Sequence, residues 1–104
     1  MTIPGFDESL FSEEDFTFHN VIHKTYWAIN FDSVKVNSKS IPSGGKYAIV
    51  DSGTSLLVGP KDIVDEMLDG ITVKEDCSNV NSLPDITFII DGKDYALSST
   101  DYVL

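Results

Sequence analysis

The five residues Asp51-Ser-Gly-Thr-Ser55 bring one carboxylate, three hydroxyls and a glycine into a single short stretch. An aspartate placed straight after the apolar run Tyr47-Ala-Ile-Val50 is carried to the end of a strand predicted to be buried on both faces. There, burial and neighbouring charge decide which protonation state of the carboxyl survives, so such a group can be set up to take or give a proton. Gly53 permits a tight turn that brings backbone N–H groups close to the carboxylate. Ser52, Thr54 and Ser55 surround it with hydroxyls able to donate hydrogen bonds and fix its orientation. The same residues also fit a plainer role, an aspartate closing a strand with an Asx-type turn. Context favours chemistry: a buried strand before the acid, the apolar triplet Leu56-Leu57-Val58 after it, and Gly59-Pro60 opening a helix.

Other groups capable of chemistry carry less. His19 and His23 stand four apart, but in a strand-turn region that spacing does not impose one-face geometry, and no third histidine or cysteine joins them. Both read as surface histidines, and no metal is expected. Asp7, Glu8, Glu13, Glu14 and Asp15 lack the spacing of an EF-hand loop and read as a solvated run at the start of the chain. Cys77 is the single cysteine, so it has no disulfide partner within the chain. It is either a buried structural thiol or half of a pair whose partner lies outside.

The elements that must position Asp51 follow from periodicity. Thr17 to Ile22 is predicted as a short strand, and Tyr26 to Val36 as a long strand with a bend or bulge near Ser33, where the alternation slips by one. Asn37-Ser38 fits a turn and Ile41-Pro-Ser-Gly-Gly45 a loop. After Gly59-Pro60, Asp62 suits the positive end of a helix dipole, Ile63, Val64, Met67 and Leu68 form one apolar stripe, and Gly70 stops the helix. Ile71 to Val73 reads as a further strand. Ile86–Ile90 and Lys93–Leu97 around Asp91-Gly92 form a hairpin, and Ser98 to Tyr102 start a short capped helix. The result is mostly β with one helix.

The chain has 104 residues, with 7 Lys plus Arg against 17 Asp plus Glu, a formal charge of −10. Nucleic-acid affinity rests on basic residues displacing counterions, so neither nucleic acid nor an anionic membrane is an expected partner. With 41% hydrophobic residues a packed core is within reach. No run approaches the roughly 18–20 apolar residues of a membrane span. The start, Met1-Thr-Ile-Pro-Gly5, has neither the basic nor the apolar region of a signal peptide, and no N-glycosylation sequon occurs.

Ala48-Ile-Val-Asp-Ser-Gly-Thr-Ser-Leu-Leu-Val-Gly-Pro60 closely resembles the second catalytic motif of pepsin-like aspartic peptidases, the group of pepsin and cathepsin D. Upstream, Tyr26-Trp27 and Asp32-Ser33-Val34 look like that family's Tyr-Trp strand into the C-terminal lobe. Downstream, Ser82-Leu-Pro-Asp-Ile-Thr-Phe88, Asp91-Gly92 and Tyr95 are similar to the hairpin that follows. The ordered matches run from about Gly5 to Leu104. The resemblance implies an all-β fold with one or two short helices, residues 1–104 being part of the C-terminal lobe of an acid-protease β-barrel, incomplete.

By the same resemblance Asp51 is one of a catalytic pair of aspartates, and no cofactor is required. Ser52 would join the hydrogen-bond grip between the two lobes, Gly53 and Thr54 would contact the carboxylate and the substrate backbone, and Ser55 would act on the non-prime side. Tyr26 resembles a residue lining the prime-side cleft. Cys77 matches a family cysteine whose partner would lie beyond Leu104. The chain has one Asp-Ser-Gly loop where the family uses two, lacks the flap of the other lobe, and shows no later apolar-apolar-Gly segment behind Asp51. The expectation is a piece of one lobe, cut at both ends and inactive alone. Its parent would be an endopeptidase that prefers extended polypeptides with apolar residues at the cleaved bond, in a secreted or lysosomal/vacuolar setting, with the N-terminal lobe of the same protein as partner.

Three rivals remain open. A retroviral-type peptidase would build a symmetric site from two copies of one Asp-Ser/Thr-Gly chain. A non-catalytic homologue would use the same fold as a binding protein. A nucleotide-binding module of the actin type also runs an apolar strand into Asp-x-Gly-Thr, but it pairs with a second phosphate loop, and none is found here.

Overall fold

A computed structural model describes residues 2–104; Met1, where the reading of the N-terminus began, lies outside the described residues. The strands are β1 (Ala28–Asn30), β2 (Ser33–Val36), β3 (Lys39–Pro42), β4 (Tyr47–Ile49), β5 (Ile86–Ile90) and β6 (Lys93–Leu97). Two short helices, α1 (Lys61–Leu68) and α2 (Ser99–Tyr102), and three single 3-10 turns complete the described structure. The strands form an antiparallel four-stranded sheet in the order β3-β2-β5-β6 and a separate two-stranded ribbon, β1-β4. Neither closes on itself, so the expected all-β fold with short helices is present as an open, incomplete arrangement.

The core lies on one face of the four-stranded sheet. Val34 is fully buried, and Val36, Ile41, Ile63 and Ile86 are nearly so, with Phe31, Met67, Ile71, Phe88 and Tyr102 packed around them. Alternation along β2 explains the arrangement: Val34 and Val36 point inward while Lys35 points out and pairs with Asp94. Helix α1 covers this face through Ile63 and Met67. Leu68, predicted on the same stripe, is exposed, because at the last turn it rotates away from the sheet.

Hairpin β5–β6 forms where Asp91-Gly92 predicts it, with both residues at positive φ (48° and 75°). Adding a methyl group at Gly92 meets no atom within 4 Å, so a substitution there costs conformation alone. We expect Gly92→Ala to lower stability by about 1–2 kcal/mol, the usual cost of a left-handed alanine, read as a lower midpoint in urea unfolding. The predicted capped helix after β6 is also present, closed by a reciprocal capping box between Ser98 and Asp101.

Several expectations are corrected. Tyr26 to Val36 is not one bent strand: it breaks at Phe31-Asp32, where the Asp32 N–H donates to Ile89 O at 2.9 Å, and its halves join different sheets. Ile41 belongs to strand β3 rather than to a loop, and Pro42 closes that strand on a sheet edge, where its missing N–H costs nothing. Thr17 to Ile22 is not a strand: no described strand pairs with it, and it is tied down by side chains instead, with Lys93 Nζ donating to Thr17 Oγ1 and the His19 ring meeting Asp91 and Tyr95. Residues 71–73 form no strand either. The Asn79 side chain takes their ladder partners, donating to Thr72 O at 2.7 Å and accepting from Lys74 N at 2.9 Å. The strand ending in Val50 is exposed rather than buried on both faces, since β1 is its one neighbour among the described residues.

Candidate active site

Asp51 follows the ribbon's second strand. The ribbon register pairs Ala28 with Ile49, Ile29 with Ala48 and Asn30 with Tyr47, and is prolonged by Val50 N–H donating to Trp27 O at 3.0 Å. Continuing the antiparallel register sets Asp51 opposite Tyr26. Both therefore line one groove of about 590 Å³, together with Val21, Lys24, Thr25, Trp27, Ile49 and Val50. Segment 21–23 reaches the groove because the chain doubles back: Ile22 N–H donates to Ala28 O at 2.9 Å. The groove lining beyond Tyr26 has no signature in local spacing. It is assembled by pairing between segments more than twenty residues apart, which periodicity along one segment does not reveal.

The carboxylate is oriented by the turn that follows it. Gly53 N–H donates to Asp51 Oδ1 at 2.8 Å, and a side chain added at Gly53 would place its first carbon 3.0 Å from that same oxygen. Glycine thus gives the carboxylate room for its close approach to the turn, which a larger residue would crowd. The Thr54 hydroxyl donates to the main-chain oxygen of Asp51 at 3.3 Å and not to its carboxylate. Ser52 and Ser55 are exposed beside the turn, so the expected ring of hydroxyls around the carboxylate is reduced to a single backbone donor. Asp51 is itself exposed, in place of the buried setting predicted for it. Apolar residues flanking it in the chain and across the ribbon are uncovered: Trp27 is 73% exposed and Val58 84%, with Val50, Leu56 and Leu57 nearly as open.

The remaining candidates lie elsewhere. Cys77 is exposed and sits in the loop after α1, so the buried-thiol alternative is overturned. His23 is exposed and stacks near Tyr47, whereas His19 is only 13% exposed and bonded on both ring nitrogens, which corrects its reading as a surface histidine. No described helix is long and apolar enough to cross a membrane.

With the geometry in place, comparison with known proteins is specific. The model of the eukaryotic aspartyl protease family matches residues 1–104. Cathepsin D of Bos taurus is 40% identical over 109 residues, covering 96% of this chain and 28% of that protein. Pepsin A of Sus scrofa is 42% identical over 88 residues, covering 76% of this chain and 23% of the relative. Pregnancy-associated glycoprotein of Equus caballus is 44% identical over 87 residues, covering 75% and 22%. The chain therefore spans less than a third of the length of each of these relatives. An Asp-Ser-Gly turn at the end of an apolar ribbon, in a fold of open antiparallel sheets, is in keeping with that match: the chain belongs to the eukaryotic aspartyl protease family.

Proposed function

We propose that Asp51 is one of the two catalytic carboxylates of an aspartic endopeptidase, and that residues 1–104 are part of a C-terminal lobe whose counterpart lobe supplies the other. The observation that carries this reading is a lone, backbone-oriented carboxylate at the mouth of an apolar groove, ringed by uncovered apolar side chains. A second support is dimensional: the radius of gyration is 15.1 Å, against about 13 Å for a compact domain of this length. The ribbon is a sheet of its own, separate from the four-stranded one, so the strands do not close around a single centre.

In the assembled site, two carboxylates share one proton, because like charges so close resist joint ionisation. The ionised one draws a proton from a water that attacks the scissile carbonyl, while the protonated one polarises that carbonyl. The Gly53 N–H fixes Oδ1 of Asp51 in one orientation, so the carboxylate meets its counterpart without first reorganising. Ser52 is the interlobe grip, Gly53, Thr54 and Ser55 bear on the substrate backbone, and Tyr26 walls the groove that takes apolar side chains flanking the cleaved bond of an extended polypeptide. Cys77, exposed in its loop, pairs with a cysteine outside this chain. Family resemblance supports a secreted or lysosomal/vacuolar setting.

We expect the isolated chain to leave an extended apolar peptide uncut at acid pH. A hybrid in which residues 1–104 replace the matching segment of bovine cathepsin D should cleave it. Cleavage by the isolated chain, first order in its concentration and lost on Asp51→Asn, would overturn the two-lobe reading. Cleavage second order in chain concentration would favour a symmetric dimer instead, since the exposed Leu56-Leu57-Val58 surface is open to a second copy. A folded hybrid that binds the peptide without cutting it would point to a binding protein.

A further inference from the structure

We propose that Asp91 is a positioning residue, a clasp at the β5–β6 turn that sets the orientation of the β1–β4 ribbon, and hence of Asp51, against the four-stranded sheet. The two parts of the fold meet at the link between β1 and β2, and there two carboxylates brace each other's elements. From the turn, Asp91 Oδ1 accepts from Asn30 Nδ2 of β1 at 2.8 Å. From the link, Asp32 Oδ2 accepts from Gly92 N–H of the turn at 2.8 Å. The second oxygen of Asp91 meets His19 Nδ1 at 3.0 Å, and the far nitrogen of that ring meets Tyr95 OH at 2.6 Å. One side chain thus gathers three separate pieces: the turn, the ribbon and the 15–19 segment.

The alternatives for these pieces are few. Segment 15–19 contributes no strand pairing and is otherwise held by Lys93, whose Nζ donates to Asp15 O and Thr17 Oγ1 at 2.7 and 2.6 Å. The ribbon is joined to the main sheet through the β1–β2 link, where Phe31 meets the Phe88 ring, and Ala28 and Ile29 of β1 are themselves buried. A carboxylate is suited to the clasp because both of its oxygens accept and it is stronger when ionised. Its hydrogen bonds to His19 and then Asn30 hold it below the usual aspartate range. The other titratable groups facing it are Tyr95 and Lys93 of β6 and Asp32 of the link.

The sign follows from that lowering. A carboxyl with a depressed folded pKa contributes stability above about 3.9, the ordinary aspartate value, and loses it as pH falls through the folded value. The clasp thus stays closed through mildly acid conditions and opens only in strong acid.

Hydrogen exchange of the full chain, expressed as protection factors and read from pH 7 to pH 2, tests this. In the wild type, amides of β1, β4 and segment 15–19 should lose about threefold to tenfold protection in the acid limb, the worth of an exposed charge-assisted bond, while β2 and β5 hold theirs. Asp91→Asn suits the turn's left-handed backbone, and should show the lowered ribbon protection already at pH 7, with a smaller acid step than the wild type. Ribbon protection equal to wild type at pH 7, or an acid step as large in Asp91→Asn as in the wild type, would overturn the clasp. If Asp91→Asn loses protection throughout, Asn30→Ala, which leaves the turn intact, is read in the same way.

Discussion

Asp51→Asn in the cathepsin D hybrid is expected to lower kcat for acid-pH peptide cleavage by about 10²- to 10⁴-fold, the range a positioned proton-transfer group contributes, with thermal unfolding unchanged. The two halves of this expectation have separate causes. Asparagine keeps an oxygen that accepts the Gly53 N–H, so the turn that holds the side chain survives. Being exposed, the position also contributes little packing to lose. What asparagine lacks is an ionisable oxygen. It neither accepts the proton of the attacking water nor shares a proton with a second carboxylate, and the pair ceases to be a pair. KM should move far less than kcat, since the groove walls of Tyr26, Trp27 and Val50 are untouched. Equal loss of kcat and of unfolding temperature would place Asp51 among structural residues instead.

Much of the geometry of the candidate site was legible in the sequence because that geometry is local. Asp51, Gly53 and the turn between them are neighbours in the chain, so residue types and order carried the geometry: the N–H donor, the glycine that leaves room for the carboxylate, the helix opened after Gly59-Pro60. Hairpin β5–β6 and the capping box of Ser98 and Asp101 were legible for the same reason. What failed was non-local. The run Tyr47–Val50 reads as a buried strand because its composition is that of one, yet burial depends on what covers it, and here little does. Residues 71–73 have strand-like types, but a single amide side chain seven residues on, Asn79, captures their backbone. His19 is unremarkable along the sequence and becomes central only when Asp91, 72 positions away, arrives beside it.

Ile86→Ala is expected to destabilise the chain by about 2–5 kcal/mol, enough to leave a large unfolded fraction in a small domain whose total stability is of order 5–15 kcal/mol or less. Ile86 is 2% exposed and packs with Val34, Val36, Ile41 and Ile63, where β2, β3, β5 and α1 converge. Removing three carbons there forfeits their transfer energy and leaves a cavity that the paired sheet resists closing. Ile49→Ala removes the same atoms from the ribbon, but Ile49 is 46% exposed, so in the isolated chain its cost should be a fraction of that at Ile86. The contrast separates the energetic centre of this chain from its proposed chemical one. Asp51 follows β4, the exposed strand of the ribbon, outside the core cluster around Val34, so its placement depends on clasps at the junction and on whatever covers the apolar surface. If a counterpart lobe and further strands provide that cover, Ile49→Ala should cost markedly more in the hybrid than in the isolated chain, while Ile86→Ala costs about the same in both. Urea unfolding of the four variants reads this directly, and equal costs for Ile49→Ala in the two settings would mean that the ribbon stays uncovered.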